Sequence, residues 1–302
     1  MRPDEKDISK LYFFVMLLFI TIGYLVQKAS LYIGIVFTEF FFVLLPVFLY
    51  IFLKRYDVKY VLRLNPLTGE KVLLLVIIAL FGWVVSGFFA LLTNYFLSKL
   101  GKIPVMPIPA AKDEQELLLQ ILIFGLVAAC CEEIFMRGLI MRSFEMRGSI
   151  KSIFITAILF AMLHLNVQNF LSILFLGSLL GYVVYRTDSI FAGMIVHFTN
   201  NTVSAILSYF IAQQNLGKVA SFQQISIPFT AVIGYGIIAT FFAIILYILL
   251  RYLAKITDPY VIKGTTTIKE DMHIFLYWPV FLSVLVFVYR ISWQILKIAR
   301  VI

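Results

Sequence analysis

Apolar residues run in long blocks along this chain, with polar residues gathered between them. The apolar blocks cover residues 11–26, 33–53, 72–96, 117–141, 150–163, 170–185, 190–211, 229–250 and 274–289. A helix needs about 20 mostly apolar residues to cross a bilayer. The pattern therefore predicts an all-α, polytopic transmembrane bundle of eight or nine helices. The fifth and sixth blocks are short and closely joined, which places them within the bundle. Arg290 interrupts the last, which reads as spanning or as interfacial. No internal repeat is visible, so residues 1–302 read as one integral-membrane domain, with a motif core at about 117–211.

Composition supports this class and excludes others. The chain is 62% hydrophobic and 14% charged, against about 45–50% apolar and about 25% charged in soluble domains. The net charge of +9 reads as topology-setting loops and contact with anionic lipid head groups rather than nucleic-acid binding. About twice as many Lys and Arg fall in the loops on the N-terminal side as on the other, so the N-terminus is expected to be cytoplasmic. The first apolar block reads as a signal anchor. Cys130 and Cys131 are adjacent, so no disulfide is expected. The basic stretch at 54–71 reads as an interfacial amphipathic segment. The Pro-rich, then acidic, stretch at 101–116 reads as a turn into a helix start.

Charge is costly inside a membrane, so ionisable residues within the spans are functional candidates. They are Glu39, the Glu132/Glu133/Arg137 cluster, His164, and the His197/Asn201 pair. Glu133 and Arg137 share a helix face and can pair. Glu132 points about 100° away from Glu133 and is left to face a polar cavity. His197 and Asn201 also share a face. Counting helical rise from the neighbouring turns places Glu132, His164, His197 and Asn201 in one layer. A carboxylate in such a pocket can act as a general base on water. An imidazole can orient that water or relay its proton. A second imidazole and an amide can donate to the oxygen of an attacked carbonyl. That set describes amide hydrolysis without a covalent intermediate. Zinc held by His164, His197 and Glu132 is a minority reading of the same donors. The two cysteines read as helix-packing residues rather than nucleophiles. Glu39 is expected to pair with Arg137 or to line the cavity, and His273 to be a solvated loop residue. The abundant Phe and Tyr read as lipid-facing packing and interfacial belts.

Three motifs then combine. EEIFMR fits EExxxR at Glu132, Glu133 and Arg137. FAMLH fits FxxxH at Phe160 and His164, and HFTNN fits HxxxN at His197 and Asn201. Their order and spacing resemble the CPBP family of intramembrane proteases, the group of the CAAX-processing endopeptidase Rce1 and the bacterial Abi proteins. The resemblance implies a glutamate-dependent protease without a metal cofactor. It implies Glu132 as the base assisted by His164, His197 and Asn201 as the oxyanion hole, and Glu133, Arg137 and Phe160 as supporting residues. The implied partners are membrane lipid and a peptide or protein substrate, such as a prenylated CAAX-type tail or a bacteriocin or pheromone precursor. A non-catalytic immunity or regulatory scaffold, and a transporter, use the same polar residues in other ways.

Overall fold

The computed structural model of the chain describes residues 2–103, 110–215, 227–258, 262–264 and 266–300. Among the described residues there is helix and irregular structure, with no strand. In chain order the helices are α1 (Glu5–Ala29), α2 (Leu31–Leu53), α3 (Val58–Leu62), α4 (Gly69–Leu100), α5 (Glu114–Arg147), α6 (Ser149–Leu163), α7 (Phe170–Thr187), α8 (Ile190–Gln214), α9 (Phe229–Lys255), α10 (Ile268–Leu276) and α11 (Trp278–Ile298). Eight of them, all but α3, α6 and α10, are long and apolar enough to span a membrane. The protein is a multi-pass helical membrane protein.

The short fifth block became a short helix. α6 has 15 residues, or roughly 22 Å at ~1.5 Å per residue, less than the roughly 30 Å hydrocarbon core. It opens after Gly148, whose φ of 118° suits glycine, and ends at His164, followed by Leu165 at φ 50°. α6 and α7 pack tightly as a hairpin. Gly177 and Gly181, four apart on α7, make the close approach possible: a Cβ on Gly177 would stand 3.2 Å from the Ala157 Cα.

Several spans carry wide, π-helical turns: Phe19–Gly23 in α1, Glu39–Leu44 in α2, and Ile121–Val127 and Ile134–Ile140 in α5. Such turns cluster at functional sites because they leave backbone groups free of the regular ladder. The two in α5 flank Ala128–Glu133, the segment that carries both glutamates.

The basic stretch at 54–71 is largely exposed and turns inward at its centre. Asp57 caps α3 through the Tyr60 N–H, and Val61 and Leu62 enter the core. Arg63 follows them inward and is only 2% exposed, at φ 53°. Its guanidinium donates to Asp188 at 2.6 Å and to Glu145. Arg142 donates to Glu145 at 3.1 Å and to the Tyr60 carbonyl at 2.7 Å. Through Arg63 and Tyr60 the segment ties the end of α5 to the α7–α8 turn.

Beside it, Arg147 bridges Glu5 at 2.8 Å and Asp271 at 3.3 Å, and Lys151 reaches Asp271 at 2.6 Å. Burial works to raise the Asp271 carboxyl, but hydrogen bonds from Lys151, Thr266 and Arg147 outweigh it and hold it below the usual carboxylate range. A lowered carboxyl stabilises the fold above its unfolded value and ceases to do so as pH falls through the folded value. The thermal stability of the detergent-solubilised protein is therefore expected to fall between about pH 5 and pH 2. Asp271→Asn should be less stable at neutral pH, with the difference from wild type shrinking as pH falls.

The last apolar block divides. Tyr277 is extended, with ψ 127°, and Pro279 starts α11, so residues 274–276 belong to α10. Arg290 does not interrupt α11; it is exposed and lies 4.9 Å from the Trp293 ring. His273 is exposed but helical, within α10. It lines a cleft of about 500 Å³ with Lys6 and Arg147, away from the motif residues. At the start of α5, Asp113 caps the helix by accepting the Glu116 N–H at 2.8 Å. Residues 104–109 of that expected turn lie outside the described residues.

Candidate active site

The i, i+4 spacing in α5 produces a fully buried ion pair. Arg137 Nη1 donates to Glu133 Oε1 at 2.6 Å, and both side chains are 0% exposed. Arg137 Nη2 donates to the Gly177 carbonyl at 3.1 Å, and the guanidinium lies over the Phe160 ring at 4.5 Å. Arg137 is therefore engaged by Glu133, α7 and α6, and does not pair with Glu39 as expected. Glu133 receives a second donor from α8: His197 Nδ1 stands 3.0 Å from the same Oε1. α8 comes this close because residue 193 is glycine. A Cβ there would lie 2.5 Å from Glu133 Oε2.

Glu132 is placed differently from its neighbour. Its side chain is 19% exposed, and its Oε2 lies 3.8 Å from His197 Nε2 and has no hydrogen-bond partner. Glu133 Oε2 is likewise buried without a partner, so the two glutamates differ in exposure and in the two donors that hold Glu133 Oε1. His197 lies between them. Its Nδ1 faces a carboxylate that only accepts, so Nδ1 carries a proton and Nε2 points toward Glu132.

His164 lies at the C-terminal end of α6 and is exposed. Its Nδ1 is 2.9 Å from the Phe160 carbonyl, which only accepts, so Nδ1 is the donor and Nε2 is left for other work. Phe160 meets His164 edge-on at 4.7 Å and His197 at 5.9 Å. The FxxxH phenylalanine is thus the packing element between Arg137 and both imidazoles.

The expected single layer is only partly formed. Glu132, Glu133, Arg137, Phe160 and His197 meet, with His164 joined through Phe160. Asn201 lies one turn beyond His197 and donates instead to the Phe124 carbonyl at 2.8 Å. The wide turn in α5 explains this. The Ala128 N–H bonds the carbonyls of Ile123 and Gly125 and steps over Phe124. Asn200 Nδ2 donates to Asn201 Oδ1 at 3.1 Å, which fixes the orientation of that amide. An amide NH2 has two hydrogens, so one remains for another acceptor. Among the described residues no group of three or more His, Cys, Asp or Glu side chains is arranged to hold a metal, including Glu132, His164 and His197. Cys130 and Cys131 are free thiols.

Two amides absent from the sequence expectations support the loop after His164. Gln294 of α11 accepts the Val167 N–H at 3.0 Å and donates to the Leu165 carbonyl at 2.6 Å. Asn94 of α4 donates to the Gln168 carbonyl at 3.4 Å. Irregular backbone at membrane depth requires such partners. Gln294→Leu removes two of them and is expected to lower stability by about 1–3 kcal/mol, read as a lower unfolding temperature in detergent.

These residues fall in one matched stretch. Residues 114–203 match the family model described as type II CAAX prenyl endopeptidase Rce1-like. No curated protein and no solved structure gives a significant match to the chain. The match contains every motif residue, from Glu132 to Asn201, so the part of the chain that carries them is similar to the Rce1-like CAAX prenyl endopeptidases.

Proposed function

We propose that the protein is an intramembrane endopeptidase that hydrolyses a peptide bond near the C-terminus of a membrane-associated protein or peptide. Substrates of this class include a prenylated CAAX-type tail and a small bacteriocin- or pheromone-like precursor. The observation that carries the reading is the contrast between two adjacent glutamates. Glu133 is fully buried and held at Oε1 by Arg137 and His197, while Glu132 is partly exposed and only approaches His197, at 3.8 Å.

In this reading Glu132 takes a proton from water as the hydroxide oxygen attacks the scissile carbonyl carbon. His164, with Nε2 free, orients that water. Negative charge develops on the carbonyl oxygen. His197 donates to it from Nε2 when that nitrogen carries a proton, and Asn201 donates its second amide hydrogen. As the tetrahedral intermediate collapses, the C–N bond breaks and the proton taken by Glu132 passes to the leaving amine. Base, relay and oxyanion donors are all side chains, so the reading assigns no cofactor. It also assigns a cavity beside Glu132 large enough for the peptide, and a cytoplasmic N-terminus.

The test is mass spectrometry of candidate substrates, prenylated and unprenylated, incubated with wild-type protein and with Glu132→Gln. A shortened product with wild type alone supports the reading. Full activity in Glu132→Gln overturns it. Absence of product with wild type, together with unchanged immunity or regulation by Glu132→Gln in cells, favours a scaffold.

A further inference from the structure

Gln294 lies on α11, outside the stretch 114–203 that carries the motifs. Its amide makes two hydrogen bonds to one short piece of backbone. Oε1 accepts the Val167 N–H at 3.0 Å, and Nε2 donates to the Leu165 carbonyl at 2.6 Å. Leu165 directly follows His164, and Val167 follows two residues later.

Leu165 stands at φ 50°, in the left-handed region. A residue with a Cβ is disfavoured there and persists only where its surroundings hold it. Within the loop, the Leu165 N–H donates to the Met162 carbonyl at 3.1 Å and the Gln168 N–H to Asn166 Oδ1 at 2.9 Å. Those two bonds close the turn on itself. The bonds from Gln294 fasten it to another helix. From α4, Asn94 reaches the Gln168 carbonyl at a longer 3.4 Å, four residues from His164. α11 is seated beside the loop by Phe287, whose ring lies 5.1 Å from that of Phe170 at the start of α7. His164 is thus fixed from two sides. Its Nδ1 donates to the Phe160 carbonyl at 2.9 Å within α6, and the backbone after it is pinned by α11.

We propose that Gln294 is a positioning residue of the reaction centre: it holds Leu165 left-handed and ties the turn to α11, and so sets the direction of His164 Nε2. The inference rests on the assignment of His164 as the group that orients the attacking water. The Gln294 amide takes up and gives up no proton in the cycle and acts through the turn alone. The working site therefore includes a helix that the three motifs do not reach.

The test measures turnover per folded molecule in Gln294→Leu and Gln294→Glu, using the peptide that wild type cleaves in the mass-spectrometric assay above. Gln294→Leu should lower kcat by about 10- to 10²-fold with KM unchanged. A protonated Glu offers one donor and one acceptor, as the amide does here, whereas the ionised form only accepts. Gln294→Glu should therefore approach wild-type kcat at low pH and fall toward the Gln294→Leu value as its carboxyl ionises, read as the ratio of variant to wild type at each pH. Nitrogen NMR signals of the His164 ring, assigned by their absence in His164→Ala, give a readout that needs no cleavage. Above the histidine titration, wild type should show the Nδ1–H tautomer, and Gln294→Leu a mixture of both tautomers. A merely structural role would reduce the yield of folded protein and leave kcat, the pH ratio and the ring signals unchanged. Wild-type kcat per folded molecule in Gln294→Leu, or a pure Nδ1–H tautomer there, overturns the proposal. Cleavage by His164→Ala at the wild-type rate would instead remove the water-orienting assignment, and the ring signals would still decide whether Gln294 holds His164.

Discussion

Glu132→Gln is expected to reduce peptide cleavage by about 10²–10⁴-fold, the usual contribution of a positioned general base, with little change in unfolding temperature. The two halves of this expectation have separate physical sources. Gln has nearly the shape of Glu but cannot accept a proton from water, so the chemical step loses its base. The fold loses little because Glu132 makes only a 3.8 Å approach to His197, and one of its oxygens is already unpartnered. His164→Ala should lower the rate in the same direction while leaving the helix intact, since His164 stands at the end of α6 and is exposed. If Glu132→Gln cleaves at the wild-type rate, Glu132 is not the base.

The parts of this arrangement that sequence could reveal are those set by helical periodicity. The four-residue spacing of Glu133 and Arg137 specifies a shared face, and the pair is buried in the structure. The one-residue step to Glu132 specifies a different face, and Glu132 is the more exposed glutamate. Contacts that depend on departures from the ideal helix were not readable. Straight-helix arithmetic puts Asn201 in the layer of His197, but the wide turn at Ile121–Val127 offers Asn201 the Phe124 carbonyl. Hydropathy does not register such a turn, because widening a helix leaves the polar pattern unchanged. In sequence Arg63 is one more basic residue of a loop. Its burial depends on Glu145 and Asp188, 82 and 125 positions away. Gln294 is hidden in the sequence for another reason. A lone amide carries no charge to mark it, although in an apolar span it also demands a partner. The glycines at 177 and 193 likewise show their purpose only when the facing Ala157 and Glu133 are known.

Removing Arg137 should be the most damaging single substitution for stability. Arg137→Met keeps the bulk of the side chain but leaves Glu133 as a buried carboxylate without a cation. Breaking a buried pair from one side costs about 3–5 kcal/mol, and here the loss also includes the bond to the Gly177 carbonyl and the stacking over Phe160. Unfolding of the detergent-solubilised variant should occur at a clearly lower temperature than for wild type. Arg137→Lys should not rescue it, because an ammonium cannot reach Glu133 and Gly177 as a planar fork while lying flat on the ring. The double variant Glu133→Gln/Arg137→Met should recover a large part of the loss, since it leaves no unpaired charge. That recovery should not extend to cleavage. His197 would lose the carboxylate at its Nδ1, and with it the bond that orients its ring. A double variant that is stable but inactive would separate the two roles of Glu133, as the neutralising partner of Arg137 and as the group that orients His197. An Arg137→Met protein as stable as wild type would mean that the pair does not hold α5, α6 and α7 together.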